Sequence, residues 1–204
     1  ENVHLRNKLL QRLQQSSASI IELRELYKYE IEHSQPAYPI ERFTNRKLNP
    51  NFDGSFSEGQ QNHINVEKRF LEEQLPDDFE GIVLEISRKI PDLKNFCPEN
   101  FHCPNLIREA YSLLSKTDFP SAHLLNEHWA LYRKVQMDLL VSQEYMNRYY
   151  QNGKFNINPK RKAHNQTDFR ICIIGALAGA FASEDKIIRR YFKTICPEGI
   201  LFPL

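Results

Sequence analysis

The chain has 204 residues, of which 41% are apolar and 26% charged, a balance that supports a packed core and argues against disorder. A formal net charge of +1 singles out neither nucleic acid nor a membrane surface as a partner. The longest apolar run, Ile171 to Ala182, is twelve residues, well short of the roughly 20 that a membrane-spanning helix needs.

Residues 3–33 read as one long helix. Leu9, Leu13, Ile20, Leu23 and Tyr27 recur at three- and four-residue spacings, and Leu5, Leu10, Leu26 and Ile31 widen the stripe. Gln14–Ser19 is its weak point, because Ser forms helix less readily than Leu or Glu. Residues 34–61 change character: Pro36, Pro39, Pro50, Gly54 and Gly59 punctuate a polar stretch whose anchors are Tyr38, Ile40, Phe43, Leu48, Phe52 and Phe56. That reads as an extended linker packing on the body. Helices are then expected over 62–75, 77–90 (Asp77 as cap, Ile82, Val83, Ile86 and Ile90 as stripe) and about 104–116. A long helix is expected from Pro120–Ser121 to about Asn152, with Gly153 as its stop. Residues 156–168 read as a polar loop, Asp168 as the cap of a buried helix over 169–182, and Ser183 as the cap of the last helix. No segment alternates with period two over any length. The fold class is therefore all-α: an irregular bundle of six or seven helices, with a long N-terminal helix and a buried, small-residue-rich central helix at 169–182.

One domain is expected, in three parts: an N-terminal helix at 1–33 able to act as an interaction arm, the linker at 34–61, and the helical body at 62–204. The first residue is Glu, not Met, so a fragment of a longer chain or a processed product is expected.

Four motifs invite a chemical reading, and each has a plainer one. Cys97, Cys103 and Cys196 each stand directly before a proline, and His102 precedes Cys103. Such thiolates bind zinc or haem in other settings. Zinc, however, wants four ligands with two to four residues between paired cysteines, and five residues separate Cys97 from Cys103. Proline holds the residue before it extended and is welcome in a first helical turn, so punctuation between helices is the preferred reading. Glu30 and His33 have the spacing of half a di-iron motif, and His123, Glu127 and His128 cluster in sequence. A full site needs a second Glu-x-x-His pair, which the chain lacks. Gly175 and Gly179, interleaved with alanines, suggest a close helix contact, read as core packing. Lys160, Arg161, Lys162, Arg170, Arg189 and Arg190 could form a basic face, with Tyr149, Tyr150 and Phe155 as stacking surfaces.

The leading functional expectation is a non-enzymatic helical protein–protein interaction module: an adaptor, scaffold or regulatory subunit of a larger assembly. Its partner would meet Leu9, Leu13, Ile20, Leu23 and Tyr27, or the 34–61 segment. The first alternative is nucleic-acid binding through the basic 154–170 and 186–193 segments. The second is an enzyme or a metal or haem site between helices, built on His, Glu and Cys residues. The leading reading carries no catalytic residue, metal or cofactor. With four cysteines and no disulfide-rich pattern, it places the chain inside the cell, in cytoplasm or nucleus.

Overall fold

The computed structural model describes residues 19–20, 23–38, 46–47, 76–115 and 120–202. They contain six α-helices: α1 (Leu23–His33), α2 (Pro76–Lys89), α3 (Pro104–Leu114), α4 (Ala130–Arg148), α5 (Pro159–Ala178) and α6 (Lys186–Ile195). Short 3-10 turns occupy Pro91–Asn95, Pro98–His102 and Ala122–Leu124. Six very short strands, β1 (Ser19–Ile20), β2 (Arg46–Lys47), β3 (Tyr150–Gln151), β4 (Lys154–Phe155), β5 (Ala180–Ala182) and β6 (Ile200–Phe202), pair in sequence order. β1–β2 and β3–β4 are antiparallel, and β5–β6 is parallel with α6 as the crossover. The described residues are mostly helical, in line with the helical periodicity.

The centre of the molecule is α4, against which α1, α2, α3, α5 and α6 all pack. Leu131, Val135, Leu139 and Met146 are buried on it, and so are the polar Arg133, Gln136 and Ser142. A helix hydrophobic on one face only could not hold five neighbours, and α4 buries residues all around. Val83 and Ile86 of α2, Ile107 and Ala110 of α3, and Tyr191, Phe192 and Ile195 of α6 complete the core around it.

Several expectations are corrected here. The central helix is not 169–182. That stretch is the second half of α5 plus β5, and Ile171 on it is exposed. The expected loop at 156–168 is helical from Pro159, which takes the first-turn position that proline favours, so Asp168 lies inside α5 and not at its start. The helix expected from Ser121 starts nine residues later, after an irregular stretch at 120–129. It ends at Arg148, and Gly153 instead forms a hairpin turn with Asn152. Both residues have positive φ, 52° and 82°, as a two-residue Asn-Gly hairpin requires. Asp185, not Ser183, caps α6, its carboxylate accepting from the N–H groups of Ile187 and Ile188. Ser19–Ile20 pairs as a strand with residues 46–47, so helix does not run unbroken through 3–33. Leu9 and Leu13, and the helix expected at 62–75, lie outside the described residues.

The small-residue pair has a specific use. Gly179 ends α5 at φ +67°, a conformation that side chains resist. A β-carbon added at Gly175 would lie 2.7 Å from Cδ2 of Phe181. The chain turns at Gly179 and lays the Phe181 ring back on α5, where it also stacks on Phe192 with centroids 5.2 Å apart. Gly175→Ala should therefore cost about 1–3 kcal/mol by overpacking. Gly81→Ala in α2, where nothing lies within 4 Å of an added β-carbon, should be neutral or stabilise by up to about 1 kcal/mol. Urea denaturation of both variants checks the contrast, and equal effects would contradict it.

Candidate functional site

The most unusual polar group in the described chain is Glu30. Leu23, Leu26 and Tyr27 precede it at helical spacing and point α1's inner face at the core, which carries Glu30 inside with them. Its relative exposure is 0%. One carboxylate oxygen accepts from the Ala37 N–H at 3.1 Å and the Ala130 N–H at 2.7 Å; the other accepts from the Leu131 N–H at 2.8 Å. Ala130 and Leu131 open α4, where helical N–H groups have no partner of their own. The residue at the capping position is Trp129, which supplies no side-chain acceptor. Glu30 therefore caps the central helix from another helix and, when ionised, sets its charge at the positive end of the α4 dipole. Ser34, at φ 49°, turns the chain after α1 so that Ala37 returns to the same carboxylate. Burial raises the Glu30 pKa to about 7, against the three backbone N–H bonds that lower it.

One turn into α4, Arg133 is also buried. Its guanidinium donates to the carbonyls of Glu127 (2.9 Å) and Ile195 (2.5 Å) and to the Gln136 side-chain oxygen (3.0 Å). Gln136 in turn donates to the Phe101 carbonyl. Burial pulls the Arg133 pKa below its ordinary value, but a guanidinium stays charged. This network ties α4 to the C-terminal end of α6 and to the 98–102 turn.

The histidines do not join Glu30. His33 stacks on Tyr29 and donates to its carbonyl at 3.0 Å. His128 lies against Tyr38, and His33, His123, Glu127 and His128 are all exposed. Among the described residues, no group of three or more His, Cys, Asp or Glu side chains is arranged to hold a metal ion. Cys97 and Cys103 sit extended, at ψ 165° and 107°, with Pro98 and Pro104 opening the next turn or helix. Cys196 ends α6. All four cysteines are free.

Of the proposed partner residues, Leu23 is in the core and Tyr27 packs against it, half-buried. Ile20 lies in β1. Ile31 and Tyr38 stand outward instead, 42% and 46% exposed. The proposed basic face is divided. Arg161 lies over the Tyr149 ring at 5.8 Å, and Arg170 is exposed. Arg189 donates to the carbonyls of Ser183 and Phe202. Arg190 donates to both oxygens of Glu144, at 3.1 and 2.9 Å. The side chains of Lys160 and Lys162 are outside the described set.

A surface groove runs between the 98–102 turn, α4 and α6, and it gathers Pro98, His102 and Pro197 of the Cys-Pro motifs with Arg190 of the expected basic face. Two adjoining hollows of about 260 and 410 Å³ share Pro98, Arg190 and Thr194. Its signal in the sequence is slight: polar residues on the outer faces of two helices that meet only in three dimensions.

Compared with known proteins, the chain matches no family model, no curated protein and no solved structure. No helix among the described residues is long and apolar enough to cross a membrane.

The raised pKa of Glu30 gives a signed prediction. The folded state keeps a proton on Glu30 where the unfolded chain has released it. Stability from this group is therefore full below its ordinary pKa, falls as pH rises through the window up to about 7, and is level above it. The loss should be on the order of 3 kcal/mol. Tyr27 and Tyr111, which feel the Glu30 charge, stay neutral across that window. Glu30→Gln should remove this slope, so the difference between the two denaturation–pH curves is the readout. Parallel curves would contradict it.

Proposed function

We propose that this chain is a non-enzymatic helical interaction module, serving as an adaptor, scaffold or regulatory subunit in a larger assembly. The observation that carries the reading is the state of Glu30. Among the described residues it is the carboxyl with its pKa raised toward neutrality, the usual mark of a catalytic acid or base. Here three backbone N–H groups engage both of its oxygens, and the group serves as a structural clamp. Ile31 and Tyr38, outward on the clamped segment, favour a protein partner on that side of α1. We place the partner surface on the N-terminal segment, at Leu9, Leu13 and Ile20 together with these two residues, while Leu23 and Tyr27 serve the body. Nucleic-acid binding ranks below this reading, because Arg189 is tied to the Ser183 and Phe202 carbonyls and Arg190 stands beside the Glu144 carboxylate, which a phosphate backbone would also have to face.

An intracellular site is part of the proposal. Four free cysteines suit a reducing compartment. The one glycosylation sequon begins at Asn165, whose amide donates to the Tyr145 hydroxyl at 2.8 Å from within α5, a poor place for a glycan.

Deleting residues 1–33 would remove Leu26 and Glu30 from the core, so the informative truncation stops before α1. Affinity capture with the full chain and with a chain lacking residues 1–18 should recover a partner with the first and lose it with the second. The same partners with both chains would remove the N-terminal segment from the proposal.

A further inference from the structure

The groove beside α6 has a composition that names a ligand chemistry. Phe96, Pro98 and Leu140 make part of its lining apolar. Arg148, Arg190 and Lys193 supply its cations, and Thr194, Gln143 and Asn147 its neutral polar groups.

Its walls are pinned. Gln143 donates to the Phe96 carbonyl at 2.7 Å, fastening the turn to α4. The Cys97 N–H donates to the Asn100 side-chain oxygen, closing the 98–102 turn. Glu144, on α4, holds Arg190 of α6 and, at 2.6 Å, Arg148 of its own helix. A groove held this way loses little conformational freedom when filled, which favours binding.

The charges do not cancel. Glu144 is one carboxylate shared by two guanidiniums, so the trio is net positive. Arg148 and Arg190 side chains remain 44% and 50% exposed, and each guanidinium carries five donors, more than these contacts use. Lys193 donates to the Pro197 and Gly199 carbonyls, which leave its charge whole. His102 adds no charge at neutral pH, because burial and then the Arg133 charge hold its pKa down. Glu99 is the opposing carboxylate in the lining.

We propose that this groove binds a short acidic peptide segment carrying an apolar anchor. The anchor would rest on Phe96, Pro98 and Leu140, and the carboxylates would meet Arg148, Arg190 and Lys193. A nucleic acid fits less well, because a continuous phosphate backbone would face Glu99 and Glu144 as well as the cations. The proposal stands on the groove alone and is independent of the N-terminal partner surface.

The test pans a phage-displayed random peptide library on the full chain, then measures the selected peptide, fluorescein-labelled, by anisotropy against a labelled oligo(dT) strand. The expected consensus is rich in Asp and Glu around a Leu, Ile or Phe, and its binding should weaken with salt. Two variants should each weaken it roughly tenfold or more. Arg190→Gln removes a cation. Asn147→Trp fills the groove from an exposed position, and thermal melting checks that the variant remains folded. A basic or featureless consensus, equal binding after Asp and Glu are replaced by Asn and Gln, tighter binding of oligo(dT), or indifference to Asn147→Trp would each overturn the proposal. Loss of the N-terminal partner with this binding intact would count against the N-terminal surface alone.

Discussion

A carboxylate with no access to water must find donors inside the protein, and Glu30 finds them at the start of the central helix. That requirement fixes more than one bond. The N–H groups of Ala130 and Leu131 point along the α4 axis, so α1 must cross the end of α4 to reach them. Ala37 must come back to the same carboxylate, and Ser34 takes a left-handed turn that allows it. Apolar packing alone would let α1 slide along its neighbour; two hydrogen bonds, from the N–H groups of Ala130 and Leu131, do not. Removing the carboxylate would leave two helix-opening N–H groups buried without acceptors, a loss of about 1–3 kcal/mol for each.

The rest of α4 repeats the device. Arg133 and Gln136 bind the carbonyls of Ile195 and Phe101, and farther along Gln143 binds Phe96 while Glu144 binds Arg190. Arg133 and Glu144 thus hold α6, Gln136 and Gln143 hold the 96–101 segment, and together they set where these two elements sit on the hub. Burying the Arg133 charge costs free energy, and its bonds to carbonyl and amide oxygens offset that cost only in this arrangement. The outer groove lies between the turn and α6, each of which those pins fasten to α4.

Short-range features of this fold were legible in the sequence. Leu106, Ile107, Ala110 and Tyr111 mark α3, Val83 and Ile86 mark α2, and proline marks the junctions at Cys97 and Cys103. Two local signals were open to reading yet misassigned: Pro159 as a helix start and Asn152-Gly153 as a hairpin turn. What the sequence hides is long-range. Glu30 and Leu131 are 101 residues apart, and nothing near either one announces the other. The trace that exists is Glu30 sitting seven residues after Leu23 on an otherwise apolar stripe, a polar residue where the core should be. The choice of central helix was hidden for a related reason. The apolar run at 171–182 looks more buried than α4, but α4 buries Arg133 and Gln136 through partners that composition does not reveal. The site was less legible than the fold, because the groove is made from the outer faces of elements that are distant in sequence.

Amide hydrogen exchange at Ala130 and Leu131 tests the clamp most directly. First-turn helical amides have no acceptor within their own helix, so protection there must come from Glu30. In the intact chain both amides should exchange as slowly as those in the middle of α4, such as Leu139, and in Glu30→Ala both should exchange much faster. Fast exchange of Ala130 and Leu131 in the intact chain would contradict the account.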